Sequence, residues 1–325
     1  MAAPRSEGKL RPAYLPERRS ALYQWQRRMQ TRVGNALLLW MARRFRGLPG
    51  PASLRVGEAL GSLARVLSPR HYAIVMTNLR IAFGGEKEES ELRRLASACY
   101  RHLGKSLMEF IRLPAFTRDD IKRLVELRGK EHLEAALAAG KGAILLTAHL
   151  GNWEMIGARI AAEGYRLSVI ARAQRDDALT GLLRGTREVT GMRVLHQEVA
   201  VMGALRALRR NEVVGILLDQ NAGDDGVFVD FFGRPASTAA GAALFALRTG
   251  AAVLPSFGWR LPDNTHVAVM EPALPLISTG DQAGDVRANT AQYTRAIEEH
   301  IRAHPEQWFW LHKRWKSRPP EERGG

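Results

Sequence analysis

Short apolar segments alternate with helix-like segments from about residue 120 onwards, and this alternation limits the possible folds more than any other feature of the chain. The segments GAILLT, RLSVIA and MRVL are each followed by a stretch with helical periodicity, and EVVGILLD continues the series. Strands that alternate with helices form a mostly parallel sheet. Two further apolar segments, AAVLPSFGWR and THVAVME, flank the turn LPDN and predict a late antiparallel hairpin. We therefore predict an α/β fold with a central mostly parallel or mixed sheet flanked by helices.

The stretch TAHLGNWE follows the first of these strands and carries the strongest candidate for chemistry. Ligands of such sheets bind beyond the carboxyl ends of the strands, which is where His149 is expected. His149 and Glu154 would point to different faces of a single helix, about 140° apart. They can meet only if Gly151 bends the chain and Glu154 lies in the first turn of the next helix. This arrangement predicts a His149–Glu154 hydrogen bond and a general base. The alternative is a structural histidine at the end of a strand.

The charge of the chain limits its partners without choosing one. Lys and Arg outnumber Asp and Glu by 48 to 33, which gives a formal net charge of +15. Such a surface attracts nucleic acid, anionic lipid or an acidic carrier protein. The single cysteine, Cys99, excludes an internal disulfide and favours a reducing compartment.

The N-terminal region predicts contact with a membrane surface. Its longest apolar stretch, VGNALLLWMA at 33–42, is about half as long as a spanning helix and is flanked by arginines. We interpret 1–50 as a basic amphipathic membrane-associating segment without a signal peptide, and the alternative is a helix that packs on the protein's own core. The further boundaries are a helical lead-in at 51–119, an α/β domain at 120–319 and a disordered tail at 320–325.

Several motifs together resemble a known family. The spacing His, four residues, then Asp or Glu is the signature of glycerolipid-type acyltransferases, and AHLGNWE resembles the lipid A biosynthesis acyltransferase family within them. Four further stretches resemble family motifs in the expected order, so that the resemblance covers about 70–319: NLRIAF at 78–83, LLDQN at 217–221, FFGRPAST at 231–238 and WLHKRWKSRP at 310–319.

The resemblance implies an O-acyltransferase that moves a fatty acyl chain from a thioester to a hydroxyl of a lipid A precursor in lipopolysaccharide biosynthesis. His149 is then the general base and Glu154 orients its ring. No metal or cofactor is implied. The residues expected to bind substrate are Arg172, Asp219, Gln220 and Arg234. Each has a plain alternative, such as a surface arginine for Arg172 or a loop start for Asp219.

The implied partners are acyl carrier protein or acyl coenzyme A as donor, a membrane glycolipid as acceptor, and an anionic membrane surface. The implied location is the cytoplasmic face of the inner membrane. Within the same chemistry, the alternatives are a phosphatidylinositol mannoside or a lysophospholipid acceptor. A basic membrane- or nucleic-acid-binding protein is the non-enzyme alternative. Nucleic acid is not expected as a partner because the basic residues are spread along the chain and form no recognised reading motif.

Overall fold

The computed structural model describes residues 43–171 and 177–319 together with positions 36, 40, 41 and 321, and for 177–179 and 196–199 it describes only the backbone. Helices make up the first part of this region. They are α1 (Gly50–Leu67), α2 (Pro69–Phe83), α3 (Glu89–Arg112) and α4 (Arg118–Leu124). Helices α1 and α3 pack with their backbones in close contact. A Cβ atom on Gly57 would lie 2.5 Å from the carbonyl oxygen of Gly104, so neither position has room for a side chain.

Strands and helices then alternate along the chain. The strands of the main sheet are β1 (Val125–Arg128), β2 (Ala143–Thr147), β3 (Leu167–Ala171), β4 (Arg193–His196), β5 (Val213–Leu217), β8 (Ala252–Arg260) and β9 (His266–Met270). Strands β6 (Val227–Phe231) and β7 (Arg234–Thr238) form a separate antiparallel hairpin. The remaining helices are α5 (Lys130–Ala138), α6 (Trp153–Ala162), α7 (Asp177–Val189), α8 (Gln197–Arg209), α9 (Gly241–Thr249) and α10 (Gln282–Ala303).

The main sheet is mixed, with the strand order β1-β9-β8-β2-β5-β3-β4. Strands β8, β2, β5, β3 and β4 run parallel to one another. Strand β9 is antiparallel to β8 and parallel to β1. The carboxyl ends of five neighbouring strands therefore meet at one edge, where a ligand site is expected.

Both faces of the sheet are covered, and β2 shows how the sequence achieves this. Ile144 and Leu146 belong to a core cluster with helices α2, α3, α8, α9 and α10. Ala143 and Leu145 point to the opposite face and belong to a second cluster that includes α6. Because side chains of a strand alternate between faces, an apolar run such as AILL is what a strand buried on both sides requires.

The predicted α/β class and mixed sheet are confirmed, as are the predicted strands GAILLT, RLSVIA, MRVL and EVVGILLD and the β8–β9 hairpin. Strand β1 and the β6–β7 hairpin were not predicted. The predicted membrane-associating segment at 1–50 lies mostly outside the described residues, as does most of the predicted tail at 320–325. No helix among the described residues is long and apolar enough to cross a membrane. The domain boundaries stay predictions.

Candidate active site

Two polar side chains meet at the carboxyl edge of the sheet because their strands are neighbours. Strands β2 and β5 are adjacent and parallel, and Thr147 pairs with Leu217 at their ends. His149 and Asp219 each follow two residues later in the chain. The Asp219 Oδ1 atom lies 2.8 Å from His149 Nδ1. The register of the sheet thus builds a histidine–carboxylate pair from residues that are far apart in the sequence.

Asp219 is buried, and all its contacts favour the ionised form. Its Oδ2 atom accepts hydrogen bonds from the His149 backbone N–H at 2.8 Å and from the Trp308 indole N–H at 2.7 Å. Burial alone would raise the pKa of Asp219, but attraction to the His149 ring and these hydrogen bonds outweigh it and lower the pKa to about 2. An ionised carboxylate only accepts, so Nδ1 carries the hydrogen and Nε2 is left as the basic atom of His149.

The predicted hydrogen bond between His149 and Glu154 is not formed, because Asp219 occupies that position beside the ring. The Glu154 carboxylate is instead held by the Arg187 guanidinium, with distances of 2.9 Å from Nε to Oε2 and 2.5 Å from Nη2 to Oε1. The Trp153 indole N–H also donates to Glu154, at 3.1 Å. Glu154 does lie in the first turn of α6, as predicted, but its side chain points towards α7.

A cavity of about 490 Å³ extends from His149 between the sheet and helices α6 and α7. The polar groups of its lining include those of His149, Glu154, Arg187 and Gln220. Most of the other lining residues are apolar and come from the sheet, from α6 and from the chain before β4, among them Leu145, Ile156, Ile160, Leu167, Val169 and Met192. A largely apolar cavity with a few convergent polar groups is typical of a small-molecule or acyl-chain site.

The bend between His149 and α6 is fixed by close backbone contacts. Gly151 has a φ of +59°, which favours glycine, and a Cβ atom there would lie 2.2 Å from the Gly258 carbonyl oxygen. Its N–H donates to the Gln307 carbonyl at 3.0 Å, and its own carbonyl accepts from His102 Nε2 at 3.0 Å. Burial lowers the pKa of His102 to about 4, so this ring is neutral at pH 7.

A buried charge network holds the next residue, Asn152. The Asn152 Oδ1 atom caps α6 by accepting from the Met155 N–H at 3.3 Å, and its Nδ2 donates to Glu109 at 2.6 Å. Glu109 also accepts two hydrogen bonds of 2.6 Å from Arg260 and one of 3.0 Å from His266. Burial would raise the pKa of Glu109, but attraction to His266 and these hydrogen bonds hold it well below its usual range. The network therefore anchors the start of the helix that carries Glu154.

The C-terminal segment, residues 304–319, supports the same edge of the sheet. Its Trp308 indole donates to Asp219, as described above, and the Phe309 N–H donates to the His149 carbonyl at 2.9 Å. The Asn221 N–H donates to His312 Nε2 at 2.9 Å. Both residues of the His149–Asp219 pair are thus held from outside their own strands.

The other substrate-binding candidates occupy different places. Arg172 lies outside the described residues. Gln220 lines the cavity, and its Nε2 atom is 3.4 Å from His149 Nε2. Arg234 lines a separate open cleft, so the structure does not bring it to the His149 cavity.

Several residues at the site were missed by sequence reasoning. Arg187 lies within a predicted helix and carries no local signal. Trp308 lies just before the motif at 310–319, which gave the only hint of its importance. Glu109 and Arg260 were missed because isolated charged residues on a helix or at a strand end are usually exposed.

The chain is similar to proteins that transfer acyl groups. A family described as bacterial lipid A biosynthesis acyltransferase matches residues 22–317. A phosphatidylinositol mannoside acyltransferase of Mycobacterium tuberculosis is 32% identical over 235 residues, which cover 70% of this chain and 72% of the relative. The lipid A biosynthesis lauroyltransferase of Escherichia coli is 28% identical over 275 residues, with 84% and 88% covered. The palmitoleoyltransferase of the same organism is 25% identical over 296 residues, with 88% and 90% covered.

Proposed function

We propose a function that follows from the family of this chain, which belongs to the bacterial lipid A biosynthesis acyltransferases. It transfers a fatty acyl chain from a thioester to a hydroxyl of a lipid A precursor. The main support for this function is the His149–Asp219 pair beside a largely apolar cavity. The pair supplies a base for a hydroxyl group. The cavity supplies a place for a hydrocarbon chain that is kept from water.

His149 Nε2 removes the proton from the acceptor hydroxyl while the hydroxyl oxygen attacks the thioester carbonyl. The tetrahedral intermediate then collapses, the carbon–sulfur bond breaks, and the imidazolium returns its proton to the leaving thiolate. Asp219, in place of the predicted Glu154, holds the ring in the required tautomer and stabilises the imidazolium. Gln220 contacts the reacting groups, which is supported by its distance of 3.4 Å from His149 Nε2. No covalent intermediate with the enzyme is needed.

Glu154 has a different role in this scheme. Its ion pair with Arg187 lies in the wall of the cavity and joins α6 to α7. The pair fixes the Arg187 guanidinium in the wall of the cavity, and Glu154 is a positioning residue for Arg187. Arg172, the next residue in the sequence after β3, is proposed to bind a phosphate of donor or acceptor.

The apolar part of the cavity holds the acyl chain and sets its length. A Cβ atom on Gly157 would lie 2.6 Å from Met192 Sδ, so these two residues confine the cavity between α6 and the chain before β4.

We expect Met192→Ala to shift selectivity towards chains about two carbons longer by roughly tenfold, since each buried CH₂ is worth about 0.8 kcal/mol. Competition between acyl carrier proteins loaded with different chains measures the ratio. Met192→Leu conserves the volume and serves as the control, and an unchanged ratio in Met192→Ala contradicts this role.

The donor is acyl carrier protein or acyl coenzyme A, and the acceptor is a phosphorylated glucosamine disaccharide at the cytoplasmic face of the inner membrane. The charge of +15 favours both an acidic carrier protein and an anionic membrane. A phosphatidylinositol mannoside is the second candidate acceptor, because the relative from Mycobacterium tuberculosis is 32% identical to this chain.

Mass spectrometry decides between the two acceptors. The purified protein, given acyl carrier protein loaded with a saturated chain, is expected to add one acyl group to a tetra- or penta-acylated lipid A precursor. Acylation of the mannoside alone would overturn the lipid A acceptor and keep the chemistry.

Membrane attachment is proposed to combine the basic segment at 1–50 with the end of α1. Leu63, Val66 and Leu67 are 52%, 65% and 71% exposed there, which is unusual for large apolar side chains. We expect high salt to release the protein from anionic vesicles, because each basic residue near the surface contributes about 1 kcal/mol. Vesicle flotation across a salt series measures this, with uncharged vesicles as the control. Binding that ignores both salt and lipid charge would contradict electrostatic attachment.

A further inference from the structure

A second cleft, separate from the cavity at His149, is surrounded by arginines. It has a volume of about 570 Å³ and is lined by Arg80 from α2, Arg234 from β7 and Arg318 from the C-terminal segment, together with Thr77, Ile81 and Trp315. None of these residues lines the cavity at His149. Three side chains from three different elements thus bring positive charge to one concave surface.

These arginines stand in the stretches NLRIAF, FFGRPAST and WLHKRWKSRP, which the proposed chemistry at His149 leaves unexplained. Like charges at one cleft repel each other unless an anion lies between them. Arg80 is partly neutralised by Glu89, which accepts from its Nε and Nη2 at 2.9 and 2.6 Å. Within the described part of the chain, the Arg234 guanidinium makes no hydrogen bond or ion pair, so it is available to a ligand.

The floor of the cleft is firmly held. Trp315 is only 9% exposed, and its indole N–H donates to the Phe231 carbonyl at 3.3 Å. The neighbouring Arg314 is fully buried and donates to the Ser237 carbonyl and the Thr238 hydroxyl at 2.5 and 2.6 Å. These contacts fix the shape of the floor on which the arginines of the cleft lie.

The cleft is also connected to the proposed reaction centre. Ser317, next to Arg318, accepts from Asn221 Nδ2 at 3.2 Å and donates its N–H to Asn221 Oδ1 at 3.4 Å. Asn221 is two residues from Asp219. Since consecutive Cα atoms are ~3.8 Å apart, the Cα atoms of Arg318 and Asp219 are separated by no more than roughly 20 Å.

We propose that the cleft formed by Arg80, Arg234 and Arg318 binds a phosphate group of the glycolipid acceptor while its hydroxyl lies at His149. Guanidinium groups bind phosphate through paired hydrogen bonds, and Arg234 supplies the principal ones. The inference rests on the proposed function for the identity of the acceptor. The phosphate site itself is tested without turnover.

The first experiment is equilibrium binding to the full-length protein in detergent, with glucosamine 1-phosphate, glucosamine and inorganic phosphate as probes. We expect the sugar phosphate to bind more tightly than either other probe, and the Arg234→Ala/Arg318→Ala variant to weaken it at least tenfold. The matched control is Arg248→Ala/Arg295→Ala, which removes two exposed arginines elsewhere. An unchanged affinity in the cleft variant, or an equal loss in the control, overturns the site. Equal binding of inorganic phosphate shows a free-phosphate site and overturns the glycolipid as its ligand.

The second experiment compares a phosphorylated acceptor with the same acceptor after its phosphates are removed. The cleft variant is expected to raise KM for the phosphorylated acceptor about tenfold with little change in kcat, and to leave KM for the dephosphorylated acceptor unchanged. An equal effect on both acceptors overturns the proposal. If neither lipid A acceptor is acylated by the wild-type protein, the proposed function has failed, and the binding experiment still decides whether the cleft holds a phosphate.

Discussion

Asp219→Asn is expected to lower kcat by about 10²–10⁴-fold with little change in the affinity for acyl donor, which is the contribution typical of a general base and its partner. The amide can donate a hydrogen bond to Nδ1, which would move the ring hydrogen to Nε2 and remove the base. His149→Ala is expected to abolish turnover because it removes the base outright. Steady-state kinetics and donor binding on the purified variants measure both effects, and circular dichroism checks that they fold.

Glu154→Gln provides the informative comparison, because it tests which carboxylate orients the His149 ring. The structure pairs Glu154 with Arg187 and pairs Asp219 with His149. We therefore expect Glu154→Gln to behave like Arg187→Gln and to leave the pH dependence of the base unchanged. If Asp219→Asn retains full activity while Glu154→Gln loses as much as His149→Ala, the dyad first predicted from TAHLGNWE is correct. Full activity of His149→Ala would end the mechanism altogether.

The sequence was sufficient to locate the edge of the sheet but not to pair the residues along it. His149 and Asp219 were both identified because each follows an apolar strand. Their contact depends on β5 being the neighbour of β2, with Thr147 opposite Leu217, and no linear pattern reveals strand order or register. Glu154 was the nearest acid in sequence. In the folded chain the acid that is 70 residues away is closer to the ring.

The buried residues that hold the site in place could not be predicted, for a different reason. Arg260, His266 and Glu109 are buried, and burying a charge is unfavourable unless a partner meets it. Glu109 lies on α3, whereas its partners Arg260 and His266 lie on β8 and β9, more than 100 residues later in the chain. Local patterns therefore assign such residues to the surface. The same holds for Trp308, whose aromatic character predicts burial but not its hydrogen bond to Asp219.

Glu109→Ala is expected to lower the free energy of unfolding by about 3–5 kcal/mol, because it leaves the buried Arg260 without its partner. Thermal or urea unfolding measures the change. Glu126→Ala is the matched control, since it removes an exposed ion pair with Arg128 and is expected to leave the midpoint unchanged. A Glu109→Ala protein as stable as the control would show that the buried pair is not needed for stability.

The double variant Glu109→Leu/Arg260→Met separates stability from positioning. It removes both charges and fills the space with apolar groups, so much of the lost stability is expected to return. Asn152 still loses the acceptor for its Nδ2 group, and with it the restraint on the first turn of α6. We therefore expect kcat to stay about tenfold below that of the wild-type protein, which is the effect of a catalytic geometry that is less well held. Full recovery of kcat together with stability would show that the network serves only the fold, and that Glu154 and His149 are positioned without it.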